Sequence, residues 1–290
     1  MVGLAQRTLK SVAAGFDRIT PGRPGVVVLI YHRVGATSGL AVDLPDDLFE
    51  AQMERLAASG RVTTLERALA LLIDGTDGTA ATGATGVTDG TGGTGDPGGP
   101  DPVVVTFDDG TADFADRALP ILARHGIPAT LYVATDFVET GREFPDAGVP
   151  LTWSALHDCV ASGLVTVGSH THTHALLDRL APERVADELD RSVELIGERL
   201  GVRAEHFAYP KALMPSPAAD AAVRSRFRSA AIAGTRPNPY RGTDPYLLAR
   251  SPVQVLDGLR YFDRKADGGM GLEDRVRELV NRRRYAEATS

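Results

Sequence analysis

PVVVTFDDG, at residues 102–110, joins a short apolar run to two adjacent aspartates and a glycine. A valine-rich run of this length is typical of a strand that is buried on both faces, as the strands of a parallel sheet are. Active sites of α/β proteins lie at the carboxyl ends of such strands. The stretch therefore predicts a parallel sheet with two carboxylates at the end of one strand.

Similar runs recur along the chain and alternate with segments of helical periodicity. The predicted strands lie at 25–32, 102–107, 129–134, 164–169, 206–210, 229–234 and 248–253. The predicted helices lie at 48–59, 114–125, 152–162, 182–200, 216–227 and 272–286. Such alternation implies parallel strands with right-handed crossovers. About seven strands favour a single α/β barrel, closed or incomplete, over a doubly wound open sheet.

Two regions fall outside this repeat. Residues 1–24 have apolar residues at near-helical spacing, which predicts an amphipathic helix that lies on the domain, on a partner or on a membrane surface. Residues 75–101 contain ten glycines, with threonine at every third position from Thr76 to Thr94. Because this segment offers little apolar surface to offset the entropy of ordering, we expect a flexible insertion within one domain that spans 25–290.

Composition limits the partners and the location of the chain. A formal net charge of −7 argues against nucleic-acid binding, which requires a basic face. The sequence has neither a run of roughly 20 apolar residues, as a membrane span needs, nor the apolar core of a signal peptide near its first residues. We therefore expect a cytoplasmic protein, or one that touches a membrane through its N-terminal helix.

The aspartate pair calls for a compensating charge. Like charges at Asp108 and Asp109 stay ionised together only if a cation or hydrogen-bond donors compensate them. A helix N-cap is the ordinary role for an aspartate before a helix. Asp113 is better placed for that role, directly before the helix predicted from Phe114. Capping therefore leaves the pair unexplained.

A second polar segment, HTHTH at 170–174, follows the predicted strand 164–169. His170 and His174 are four residues apart, so one helical turn would place both imidazoles on one side, a spacing that suits a divalent metal. His172 would then point elsewhere, as a supporting or exposed residue. Alone, the segment fits a polar turn equally well. Together with aspartates at another strand end, it favours a metal site.

These segments resemble the polysaccharide deacetylases of carbohydrate esterase family 4. The similarity rests on TFDDG at 106–110 and GSHTHTH at 168–174, and extends to YHRV at 31–34, PATLYVATDFV at 128–138 and LTW at 151–153. YHRV is typical of one branch of the family. The similarity extends over most of the chain from Val26 onward, and the insertion at 75–101 falls outside it.

The resemblance implies a distorted (β/α) barrel and a hydrolase that acts on carbon–nitrogen bonds other than peptide bonds. It implies that Asp109, His170 and His174 bind zinc, or else cobalt or nickel. It also implies that Asp108 is the general base that takes a proton from the attacking water, a separate role that the chemistry requires.

FAYPK at 207–211 resembles the third motif of the family, in which the backbone N–H of Lys211 would help to hold the oxyanion. The arginine that orients the base in this motif corresponds here to Ala208. The usual aromatic residue and glycine are replaced by Lys211 and Ala212. Arg250 is a candidate for the missing guanidinium, and a surface ion-pair residue is the alternative.

The general acid of many family members is a histidine late in the chain, but no histidine follows His206 here. In relatives with an early YH motif, that histidine is thought to protonate the leaving amine. The resemblance therefore implies His32 as the acid, and a histidine merely packed at the barrel rim is the alternative.

The function that follows is removal of N-acetyl groups from N-acetylhexosamine units of a glycan or glycan precursor, with release of acetate. One alternative keeps the machinery but changes the substrate to a non-sugar amide or an O-acetyl ester. Another is a degenerate barrel that binds glycan without turnover.

Overall fold

Seven short parallel strands form the centre of the molecule. The computed structural model describes residues 10–13, 15, 24–74, 100–274 and 276. Including three short strands outside these seven (β2, β3 and β9), the strands of the described residues are β1 (Gly25–Tyr31), β2 (Arg33–Val34), β3 (Asp43–Leu44), β4 (Val103–Phe107), β5 (Ala129–Val133), β6 (Val165–Ser169), β7 (His206–Ala208), β8 (Ser229–Ala233), β9 (Asn238–Pro239) and β10 (Leu248–Pro252).

The barrel closes through its first and last strands. Neighbours follow the order β1, β4, β5, β6, β7, β8 and β10, and all of these pairs are parallel. Strand β10 returns to β1 through the pairs Leu29–Ser251 and Ile30–Pro252. Strand β9 pairs antiparallel with the start of β1, and β2 pairs with β3 apart from the barrel. The prediction of a single barrel of seven parallel strands is confirmed.

Helices surround the strands. They are α1 (Asp46–Ser59), α2 (Leu65–Asp74), α3 (Leu119–His125), α4 (Thr135–Thr140), α5 (Trp153–Ala161), α6 (Pro182–Leu200), α7 (Pro217–Arg224) and α8 (Arg260–Ala266). A π-helical turn at Phe114–Ala118 leads into α3. The sequence predicted α1, α3, α5, α6 and α7, whereas α2, α4 and α8 were missed.

Side chains alternate between two cores, as the period of a strand requires. On β1, Val26 and Val28 point into the barrel, while Val27 and Leu29 pack outward against helices. The interior cluster also contains the apolar face of α2, including Leu69. Helix α2 therefore covers the amino ends of the strands, and the opposite end carries the polar residues predicted to be functional.

The described part of the N-terminal segment lies on the barrel domain. Residues 10–13 are helical, and the buried Lys10 amine lies 2.6 Å from carboxylate oxygens of both Asp257 and Glu273. The buried amine of Lys265 lies 2.9 Å from the other oxygen of Asp257. These paired charges tie the segment to the region around α8.

Some predictions concern residues outside this description. The insertion at 75–101 lies outside it up to residue 99, as do most of residues 1–24 and of the predicted closing helix at 272–286. None of the helices described here combines the length and the apolarity that a membrane span requires.

Candidate active site

The carboxyl ends of the strands gather most of the predicted site residues. Four strands contribute them: His32 follows β1, Asp108 and Asp109 follow β4, His170 follows β6, and Arg250 lies in β10. Because parallel strands end at one rim of a barrel, residues far apart in sequence meet there.

A tight turn separates the two aspartates. Asp109 has φ 74° and Gly110 has φ 93°, and the Gly110 N–H donates to the Asp108 carbonyl over 3.0 Å. A β-carbon on Gly110 would lie 3.2 Å from a methyl group of Val133, so this position is also crowded. The turn leaves Asp108 buried and Asp109 partly accessible. The two carboxylates therefore occupy different environments.

Asp108 is paired with Arg250. Two guanidinium N–H groups donate to the two carboxylate oxygens over 2.6 and 2.9 Å, and the exposed fractions are 0% for Arg250 and 3% for Asp108. The surface interpretation of Arg250 is therefore wrong. Burial alone would raise the pKa of Asp108, but the charges of Arg250, His170 and His32 outweigh it and lower the pKa to about 2. Asp108 is thus ionised at neutral pH.

The two predicted metal-binding histidines face Asp109. The Nε2 atoms of His170 and His174 lie 3.6 and 3.4 Å from the same Asp109 oxygen. His170 Nδ1 donates to the Ala208 carbonyl over 2.8 Å, so that Nε2 is the ring nitrogen that faces Asp109 and can act as a ligand.

A loop, and not a helical turn, brings His174 back to His170. Residues 170–174 are non-helical, and Thr171 and His174 have φ of 65° and 62°. The prediction of a helical turn is therefore wrong, although the two rings do meet, with centroids 4.9 Å apart. Burial, together with the charge of His170, lowers the pKa of His174 to about 4. Its ring is therefore neutral at physiological pH, as a metal ligand must be.

The donor set fits a divalent metal ion. Ligand atoms of Asp109, His170 and His174 lie within 4.8 Å of one another. Two imidazoles and a carboxylate suit zinc and leave coordination positions for water and substrate. The hydrogen bond from His170 to a carbonyl is the outer contact that orients metal-binding histidines in general.

His32 lies beside this group, half-buried, and its positive form would help to keep Asp108 ionised. Its buried Nδ1 atom has no hydrogen-bond partner among the described residues. The segment after it is held by Asp113, whose carboxylate accepts the Val34 N–H over 2.7 Å. Asp113 makes no side-chain cap to the following helix, so its predicted capping role is wrong.

The FAYPK segment forms another part of the rim. Ala208 is buried, and its carbonyl is the acceptor for His170. Lys211 is exposed and has φ 58°, and its charge contributes to the lowered pKa of His174. Arg250, the predicted candidate for the arginine missing at Ala208, reaches Asp108 from β10.

His172 is not part of the group formed by Asp109, His170 and His174. Its Nδ1 atom lies 2.9 Å from the Thr135 hydroxyl, and it is half-buried. This placement agrees with the supporting role predicted for it.

Two residues around the site were missed. Tyr132 lies beneath the Arg250 guanidinium, 5.1 Å from ring centroid to carbon, and packs so closely that a β-carbon on Gly168 would lie 2.7 Å from its ring. Glu188 is buried on α6 and contacts the HTHTH loop. The sequence did contain a signal for Glu188, since an acidic residue stands there in the apolar stripe of α6, beside Val185 and Leu189.

Comparison with known proteins finds similarity over the segment that carries this site. A family model described as polysaccharide deacetylase matches residues 95–230, which contain both aspartates and the HTHTH segment. The Bacillus subtilis protein YxkH is 23% identical over 183 residues, which cover 63% of this chain and 55% of that protein. The chain thus spans about half the length of this relative.

Solved structures share the barrel. IcaB from Ammonifex degensii is 25% identical, with a TM-score of 0.64 over 84% of this chain and 98% of that chain. The Streptococcus pyogenes deacetylase PplD, solved in complex with acetate, is 20% identical and has the same fold, with a TM-score of 0.64 over 80% and 94% of the two chains. The family match covers the segment that carries the candidate site, and over this segment the chain is similar to polysaccharide deacetylases.

Proposed function

We propose that this chain is a metal-dependent hydrolase that removes N-acetyl groups from glycans or glycan precursors containing N-acetylhexosamine. The observation that carries the proposal is that two adjacent aspartates contact different partners. Asp108 is held by Arg250, whereas Asp109 faces two histidines. Hydrolysis of an amide needs both a proton acceptor and a group that polarises the carbonyl.

Asp109, His170 and His174 would hold the metal. When bound there, a divalent cation, most simply zinc but also cobalt or nickel, supplies Lewis-acid chemistry that polarises the acetyl oxygen and acidifies water. The neutral ring of His174 and the fixed Nε2 of His170 support this assignment.

Asp108 would take the proton from the attacking water. Its lowered pKa makes it ionised, and the two hydrogen bonds from Arg250 fix the plane of the carboxylate. Arg250 does not touch the substrate in this scheme, and acts by orienting the base.

His32 would return a proton to the amine that leaves the sugar. An amine anion is a poor leaving group, so the tetrahedral intermediate collapses only if its nitrogen is protonated. The Nδ1 atom without a hydrogen-bond partner among the described residues and the place of His32 beside Asp108 support this role. The Lys211 backbone N–H, in a turn with φ 58°, would donate to the oxyanion from the other side of the rim.

Two other functions remain as alternatives: hydrolysis of a non-sugar amide or O-acetyl ester, and glycan binding without turnover. The buried Asp108–Arg250 pair counts against the second. A binding module has no need for an ionised carboxylate beside a metal-binding group.

Acetate release from a panel of N-acetylated and O-acetylated sugars, with and without added Zn²⁺, tests the proposal. We expect release from N-acetylhexosamine oligomers, and its loss on chelation. Full activity without metal would contradict the mechanism, and release from O-acetyl esters alone would favour the second substrate class.

Asp108→Asn and Asp109→Asn form a matched pair for the two roles. We expect Asp108→Asn to abolish turnover with metal content nearly intact, because the base is not a ligand. Asp109→Asn should lose metal as well as turnover. Equal loss of metal in both variants would mean that the roles are assigned wrongly.

A further inference from the structure

The inner face of α6 carries two buried polar residues where apolar ones are expected. Glu188 is 4% exposed and Ser192 is fully buried, one helical turn apart. Burying a carboxylate is costly unless hydrogen bonds compensate it. Both residues are bonded to the segment that leads to the predicted metal ligands.

Glu188 is hydrogen-bonded to the centre of the loop at residues 170–174. Its two carboxylate oxygens accept the backbone N–H of Thr173 over 2.7 Å and the Thr173 hydroxyl over 2.8 Å. The backbone carbonyl of Glu188 accepts the N–H of His172 over 3.1 Å. Two consecutive loop residues are thus fixed by one residue of the helix.

The start of the loop is held from the same helix. The Ser192 hydroxyl lies 2.5 Å from the hydroxyl of Ser169, which in turn accepts the Thr171 N–H over 3.2 Å. Within this loop the backbone adopts left-handed conformations at Thr171 and at His174, neither of which is a glycine. Such conformations are sterically unfavourable and persist only where surrounding contacts impose them.

We propose that Glu188 is a positioning residue for metal binding: by fixing Thr173 it holds His174 in the orientation that faces Asp109. The inference rests on the proposed function, in which His174 is a ligand. Glu188 acts through Thr173, which immediately precedes that ligand. Packing of α6 does not account for an acidic residue in its apolar stripe, whereas the two donors of Thr173 do.

Zn²⁺ titration of the metal-free full chain, followed by calorimetry, tests this role. Glu188→Gln keeps the size and the backbone contact to His172, but an amide can accept through only one of its two groups. We expect Zn²⁺ affinity to fall about 10- to 100-fold, as it does when outer contacts of metal ligands are removed in general.

Glu194→Gln is the matched control. Glu194 lies on the same helix, is exposed and pairs with Arg191, so this variant makes the same charge change without touching the loop. Its affinity should equal that of the unmodified protein. An equal loss in both variants would show that long-range charge is responsible, and would overturn the positioning role.

Thr173→Val and Thr173→Ser keep the inference testable if Glu188→Gln folds poorly. Valine removes the hydroxyl at nearly constant shape and should weaken Zn²⁺ binding, whereas serine keeps the donor and should retain it. The visible spectrum of bound Co²⁺ should change in Glu188→Gln and Thr173→Val but not in Thr173→Ser.

Failure of this inference is distinct from failure of the proposed function. If the unmodified chain binds no divalent metal, the proposed function and this inference both fall. If it binds metal and Glu188→Gln binds equally tightly, only the positioning role of Glu188 is overturned.

Discussion

Both ends of the barrel hold a group of histidine and acidic residues, but among the described residues an arginine pairs with the carboxylates of the group at one end only. The rim group is Asp109, His170 and His174, and the floor group is Glu66, Glu205 and His206. In each group the ligand atoms lie within 4.8 Å of one another. By residue type and spacing alone, both would qualify as metal sites.

The carboxylates of the floor group already have an arginine partner. Arg228 lies 2.8 Å from Glu66 and 3.0 Å from Glu205, and His206 bonds to the Ser229 hydroxyl through Nδ1 over 2.9 Å. At the rim the guanidinium of Arg250 is directed to Asp108 instead. In the described part of the chain, no lysine or arginine lies within ion-pair distance of Asp109. The placement of the nearest arginine, more than the set of possible ligands, therefore distinguishes the rim group from the ion-pair network of the floor.

The largest expected effect concerns metal content. His174→Ala should abolish divalent metal binding, since it removes one of three ligands, whereas His206→Ala on the floor should leave it unchanged. Elemental analysis of protein purified without chelator measures both. Metal loss in His206→Ala would mean that the floor is the site, or that the two ends are coupled.

His32→Ala should lower the maximal rate of N-acetyl hydrolysis by roughly two to four orders of magnitude, the usual contribution of acid catalysis. An aryl acetate with an activated leaving group serves as the control, because its departure needs little protonation and its hydrolysis should fall much less. An equal loss on both substrates, or none on either, would make His32 a structural residue.

Arg250→Met tests how much the buried ion pair at the rim stabilises the protein compared with the exposed ion pairs of the floor. Removing one partner of a buried ion pair costs about 3–5 kcal/mol, because the other charge is left uncompensated. Urea denaturation should show such a loss for Arg250→Met, and a much smaller one for Arg228→Met, whose side chain is 56% exposed. Adding Asp108→Asn to Arg250→Met should restore part of the stability; no restoration would mean that Arg250 stabilises through packing alone.

The smallest expected effect is a gain of metal binding on the floor. Arg228→Gln frees two carboxylates beside His206 and should create weak divalent metal binding on the floor. Titration in a His174→Ala background isolates it from the rim. If the double variant binds no Zn²⁺ at all, geometry and not the arginine keeps the floor from being a metal site.

The strands could be predicted from the sequence because buried parallel strands leave continuous apolar runs. Helix α2 was missed although Leu65, Leu69 and Leu72 recur at helical spacing. Helix α4 has six residues, too few to show a period, and α8 is mostly polar with Phe262 as its main apolar contact. Short or polar helices depend on tertiary packing, which no local pattern records.

The sequence predicted which residues form the candidate site, but not which of them contact one another. Pairs such as Asp108–Asp109 and His170–His174 are visible because they are local. The partner of Asp108 is not local, so the sequence left Arg250 open between two interpretations, and burial separates them. The φ angles that turn His174 back belong to residues with no glycine signal, and for that reason a helical turn was expected.

The salt bridge between Asp108 and Arg250 spans 142 residues of chain. At a ribosomal rate of about 5–20 residues per second, Asp108 is synthesised roughly 7 to 28 s before its partner. During that interval the nascent polypeptide lacks the arginine that pairs with Asp108, and the pairing of β1 with β10 that closes the barrel cannot form. In the proposed mechanism the base is oriented only once the final strand has been made, so we expect premature termination before residue 250 to yield an inert product however much of the barrel has formed.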